Sequence, residues 1–312
     1  MDVNNRARSG LVMKLRRFLP VVVALWLWPG TWSVAEAPAG LTVFVSVLPQ
    51  QQFAEAIGGG HVRVHVMVGP GRSPATYEPS PRQMIELAGA RLYWRIGVPF
   101  EDVWMARIAD ANPSMRILDA RDGITLRDME SAAAVFSAEP VHGGHGDHHH
   151  GLKDPHIWLS PSLVKHMCER FKDALIERDP AHAGDYRTNF ERYARQLDQL
   201  DEDIRRTLAN VPSRRFMVFH PAWGYFAHTY DLTQIPIEIE GKSPGPRTLA
   251  AIIDLARREH IHVIFVQQQF SRTDAEAVAR AIDARVVAVD PLAVDYLSNL
   301  RQVAQRFAAA MQ

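Results

Sequence analysis

The sequence predicts an α/β protein of two lobes, each a mainly parallel sheet flanked by helices, joined by one long rigid helix. Three observations lead there. Short apolar strands alternate with helix-like segments from Leu41 onward, the pattern that favours parallel sheets. An unbroken amphipathic stretch covers residues 183–210, and a second strand–helix series resumes after Pro212. With 312 residues, 47% of them hydrophobic, the chain can bury one large core or two modest ones.

Residues 41–47 are β-branched and apolar, residues 50–57 have a helical pattern, and Gly58, Gly59 and Gly60 break it. Residues 61–68 alternate strictly, which predicts a strand with His61, Arg63, His65 and Met67 on one face and four valines on the other. The two histidines are expected to face solvent. A helix over 81–88, a strand over 91–96, a helix over 101–111 and a strand over 115–118 complete the first series.

Residues 162–177 read as a helix that carries Cys168, the only cysteine, among Leu163, Met167 and Phe171. At that spacing it is a core residue, and no internal disulfide can form. Within 183–210 the positions Tyr186, Phe190, Tyr193, Leu197, Leu200, Ile204 and Leu208 recur every three or four residues, as on one face of a helix. At 1.5 Å per residue such a helix reaches roughly 40 Å, long enough to brace two lobes. The second series runs strand 215–219, helix 222–230, strand 234–239, helix 247–258, strand 262–266, helix 272–282, strand 285–289 and helix 295–311.

Lys plus Arg and Asp plus Glu each number 35, so no net field draws the chain to nucleic acid or to an anionic membrane. Lys14, Arg16 and Arg17 precede an apolar run over 18–28, and Ser33-Val34-Ala35 suits a small-x-small cleavage site. This predicts an export signal over 1–35. The remaining expected divisions are an N-terminal lobe over 36–182, the linking helix over 183–210 and a C-terminal lobe over 211–312.

Six of the 14 histidines fall between His142 and His156. His142, His145, His148, His149 and His150 sit among Gly and Asp in a loop suited to loose, auxiliary metal binding. His156, between Asp154-Pro155 and Ile157-Trp158-Leu159, stands where packing can fix a ring. Ligands in open α/β sheets bind beyond the carboxyl ends of strands. There His220 follows the run 216–219, and Asp290 follows the run 286–289. Each alone is more often a cap or turn residue. Together His156, His220 and Asp290 form a two-histidine, one-carboxylate set of the kind that suits zinc.

These motifs resemble the periplasmic zinc and manganese binding proteins of ABC transporters, the cluster A-I or cluster 9 solute-binding family. The resemblance spans nearly all of 41–312. It rests on the loop 68–79, the segment Asp154–Pro161, the run 219–226 around His220, the residues 240–244, the run 266–271 and the run 289–293. It implies two lobes joined by a rigid helix with metal held between them. It further implies ligands His156, His220 and Asp290, a membrane permease as partner, and a periplasmic monomer that is not an enzyme. Family members usually place a further histidine where this chain has Ala75. Glu78, three residues on, is then a candidate oxygen ligand, with a capping or surface role as its alternative; a histidine of 142–150 is another candidate.

Nitrogen at His220 favours Zn2+ over Mn2+, since the manganese binders tend to place a carboxylate there. The function expected is high-affinity capture of Zn2+ and delivery to an ABC importer. Alternatives are a zinc buffer or chaperone, a manganese-binding homologue, and a zinc hydrolase. The hydrolase requires a general base, and the chain has no His-Glu-x-x-His.

Overall fold

The computed structural model describes residues 40–130, 153–238, 244–270 and 272–312. The expected export signal, the histidine loop and residues 240–243 of the last-named motifs lie outside them. The first lobe contains β1 (Leu41–Val47), α1 (Leu48–Gly58), β2 (Val62–Val68), α2 (Pro81–Leu87), β3 (Leu92–Arg95), α3 (Pro99–Ala111) and β4 (Arg116–Asp119). Then come a 3-10 turn at Ile157–Leu159, α4 (Pro161–Arg178) and the long α5 (Ala183–Leu208). The second lobe holds β5 (Arg215–Val218), α6 (Gly224–Thr229), β6 (Thr233–Pro236), α7 (Pro246–Arg258), β7 (Val263–Val266), α8 (Arg272–Ala281), β8 (Arg285–Ala288) and α9 (Tyr296–Ala310).

Both sheets are four-stranded and parallel, in the orders β2-β1-β3-β4 and β6-β5-β7-β8. In each, the chain leaves a central strand in one direction and later returns on its other side. That reversal opens a crevice at the carboxyl ends of β1 and β3 in one sheet and of β5 and β7 in the other.

The α5 helix shows why the lobes hold together. Its 26 residues span about 39 Å at 1.5 Å per residue. Tyr186, Tyr193, Leu197, Leu200, Ile204 and Leu208 are buried along one stripe. That stripe packs on α1 and α4 of the first lobe and on α9 of the second. One continuous apolar core runs from Val43 and Trp94 in the first sheet through Leu197 and Leu200 to Phe216, Phe265 and Phe307 in the second lobe. A smaller cluster, including Met217, Ile235, Ile252 and Ile264, fills the other face of the second sheet beneath α7 and α8.

Polar contacts pin the same junction. Trp158 Nε1 donates to the Pro291 carbonyl at 2.7 Å, Thr229 Oγ1 meets Ser160 Oγ at 2.9 Å, and the Arg127 amide donates to Tyr225 Oη at 3.0 Å. The Tyr296 amide donates to Gln52 Oε1 at 2.9 Å.

The strict alternation of β2 does not leave its histidine face in water. Met67 is buried, and His65 stacks on Phe44 at 4.9 Å between ring centroids. His61 stacks on His182 at 3.8 Å and bonds Asp185 at 2.8 Å. Alternation sets which residues share a face, but the start of α5 covers part of this one. Cys168 is buried in the core, and burial pushes its thiol pKa up.

If α5 braces both lobes through one core, Leu200→Ala should lower stability by about 2–5 kcal/mol, as for other large-to-small core substitutions. Urea denaturation followed by fluorescence and circular dichroism should show one coincident transition. Two separated transitions would mean that the lobes unfold independently.

Candidate metal centre

His156 and His220 reach one cavity from different lobes. The first precedes the 3-10 turn that leads into α4, and the second follows β5 at the reversal of the second sheet. Their ring centroids are 5.3 Å apart with planes at 73°. His156 is almost fully buried. The His220 ring lies flat on Phe270 at 4.5 Å.

A buried carboxylate fixes each ring. Asp154 Oδ1 accepts from His156 Nδ1 at 2.6 Å and from the His156 amide at 2.9 Å. Glu238 Oε1 bonds His220 Nδ1 at 2.5 Å. Both carboxylates are buried. A carboxylate can only accept, so each Nδ1 carries the proton and each Nε2 keeps its lone pair for a cation. Asp154 approaches so closely that a Cβ on Gly224 would lie 2.7 Å from its Oδ2. Glycine at the start of α6 therefore allows the first lobe's carboxylate to sit against the second lobe.

Burial lowers the pKa of His220 and outweighs the opposing hydrogen bond to Glu238. The ring is thereby kept neutral and ready to bind metal near neutral pH. A depressed folded-state value contributes stability that is present above the ordinary imidazole value of about 6.5. That stability is lost as pH falls through the folded value.

The cavity opens to solvent at its mouth. Ala75 lines it from the loop after β2, which the Phe100 amide holds through the Pro74 carbonyl at 3.2 Å. The other expected ligands are placed differently. Glu78 is exposed and outside the cavity wall. Pro291 and Leu292 form the wall beside Asp290, whose Oδ1 accepts from the Leu292 amide at 2.8 Å. Among the described residues no three His, Cys, Asp or Glu side chains gather within reach of one ion. The structure thus unites His156 and His220 but leaves Asp290 capping its own turn.

The family model described as the periplasmic component A of zinc-uptake complexes matches residues 43–310. The chain belongs to that family. A crystal structure of ZnuA is 39% identical in sequence, with a TM-score of 0.79, covering 88% of this chain and 100% of that one. A ZnuA deletion mutant with zinc bound matches at 39% identity and a TM-score of 0.78, covering 88% and 98%. The high-affinity zinc uptake system protein ZnuA of Yersinia pestis is 26% identical over 88% of this chain and 92% of its own length. The two parallel sheets and the long helix are the fold of this zinc-uptake family. No helix among the described residues is long and apolar enough to cross a membrane.

Sequence reading missed Asp154, Glu238 and Gln267. Asp154 stands two residues before His156, and Gln267 directly follows β7 at the sheet reversal, so both had a positional signal. Glu238 had only its place after β6, and its pairing with His220 exists only across adjacent strands.

Two outcomes follow. Glu238→Gln should weaken zinc binding by about 10–100-fold, the usual effect of losing a partner behind a ligand histidine, as measured by competition with a fluorescent chelator. The metal-free protein should lose thermal stability as pH falls below about 6.5, and His220→Gln should flatten part of that decline.

Proposed function

We propose that the protein captures Zn2+ with high affinity in the periplasm and passes it to the membrane permease of an ABC importer. His156 and His220 are its imidazole ligands, and Asp290 is its carboxylate ligand. One observation carries this reading: two buried rings from different lobes meet across one cavity, each with Nδ1 bound to a buried carboxylate. Imidazole donors suit zinc better than manganese, which favours oxygen ligands.

The zinc-bound ZnuA mutant and the ZnuA of Yersinia pestis support the choice of metal. The family description supports a periplasmic transport component rather than an enzyme. Asp290 lies one residue from the wall, and its carboxylate reaches the ion by turning from the Leu292 amide. His142 to His150 serve as auxiliary, weaker sites. His156 and His220 are already fixed by their bonds to buried carboxylates.

Calorimetry with zinc tests the assignment. His156→Ala and His220→Ala should each cost several kcal/mol, set against roughly 10–16 kcal/mol for complete structural zinc sites. Asp290→Ala should cost less, since the carboxylate must first leave its turn. Ala75→His should tighten binding by adding an imidazole from the loop after β2. Glu78→Ala should change little, because that side chain lies outside the wall. Unchanged affinity in a folded His220→Ala protein would refute the site.

A further inference from the structure

The cavity is small, about 80 Å3, the space of an ion and its immediate ligands rather than of an organic molecule. Its wall carries one donor that the zinc reading leaves idle. Met129 lines it together with His156 and His220, whereas among the described residues no carboxylate does. Asp154 and Glu238 stand behind the imidazoles, and Asp290 is turned to the Leu292 amide. The strong metal donors on the wall are thus two imidazole nitrogens and a thioether sulfur.

Backbone bonds place Met129 there. The Asp154 amide donates to the Arg127 carbonyl at 2.9 Å, and Asp128 pairs with Lys153 in an antiparallel bridge. Residues 127–129 therefore run beside the segment that leads to His156. The Arg127 amide in turn donates to Tyr225 Oη of the second lobe at 3.0 Å, and the Arg127 guanidinium reaches Glu130 at 3.4 Å. The chain on either side of Met129 is held, while the three rotatable bonds of its side chain let the thioether turn to an ion.

This donor set differs in kind from the one zinc needs. Thioether and other soft ligands select Cu+, and imidazole suits copper as well as zinc. Charge points the same way. The Born cost of moving an ion from water into an apolar surrounding grows with the square of its charge, so a monocation costs about a quarter of what a dication of equal size costs. We propose that the cleft is also a Cu+ site, in which Met129 Sδ joins Nε2 of His156 and Nε2 of His220 around one ion. Asp290 keeps its bond to the Leu292 amide in this state, so Cu+ binds without the turn of that carboxylate that Zn2+ requires. The proposal rests on the reading of the two histidines as metal ligands given above.

The test uses the full chain, titrated without oxygen with Cu+ presented as its bicinchoninate complex, and separately with Zn2+. X-ray absorption at the copper edge identifies the atoms bound to Cu+, and circular dichroism confirms that each variant is folded. The expected result is Cu+ with nitrogen and sulfur neighbours, the sulfur disappearing in Met129→Leu. The ratio of Cu+ to Zn2+ affinity should fall at least about tenfold in Met129→Leu, since losing even a group behind a metal ligand costs about 10–100-fold. In Asp290→Ala the same ratio should rise. Cu+ with nitrogen neighbours alone, or a ratio unmoved by Met129→Leu, overturns the proposal and leaves the zinc site standing. A sulfur neighbour that persists in His220→Ala puts the ion elsewhere and also overturns it. Cu+ bound beside Met129 without measurable Zn2+ binding overturns the zinc reading alone.

Discussion

The fixed distance between His156 and His220 is the constraint on which this site depends. Zinc–nitrogen bonds are about 2.0–2.1 Å long, so two rings carried by different lobes serve one ion only if the lobes hold their spacing. The continuous core around α5 and the Trp158–Pro291 hydrogen bond provide that. A free hinge between the sheets would have to be ordered at each binding event, and that cost would be subtracted from affinity. Here the ordering accompanies folding.

Within this frame, the buried carboxylates decide how the rings behave. Asp154 and Glu238 hold Nδ1 of each histidine, which sets the tautomer and leaves Nε2 for metal. Burial keeps His220 from protonating, while Glu238 alone would favour the charged ring. The balance yields a neutral ring at neutral pH with a carboxylate behind it. Glu238 Oε2 is buried and without a partner among the described residues.

Both sheets repeat one topology, and each contributes to the cavity from the ends of strands flanking its reversal. The second sheet places His220 after β5 and Gln267 after β7. The first places the Val98-Pro99 turn after β3. The loop carrying Ala75 follows β2 and is tied to that turn through Phe100. Parallel connections leave the strand ends free of hydrogen-bonded hairpins, so these loops can vary without disturbing the core. Ala75 stands in such a loop, where the residue at the cavity wall can change while the fold persists.

Residue patterns alone were enough to predict the architecture. Hydrophobic periodicity is local, so the strand–helix alternation, the long helix and the core position of Cys168 follow from residue order, with boundaries displaced by one to three residues. The positions of His156 and His220 were legible for the same reason, since the first enters a packed turn and the second closes the apolar run of β5. Other features depend on contacts between residues distant in sequence. The pairing of His220 with Glu238, the approach of Asp154 to Gly224, the cover over His61 and His65, and the unpartnered oxygen of Gln267 have no local pattern. Asp290 shows the limit most directly: its position after β8 was legible, but its hydrogen bond to the Leu292 amide depends on the fold of the turn. The sequence by itself determined which side chains could serve a metal and where the chain would present them. Only the tertiary structure decided which of them meet, because distance across the cleft is set by packing between lobes and not by spacing along the chain.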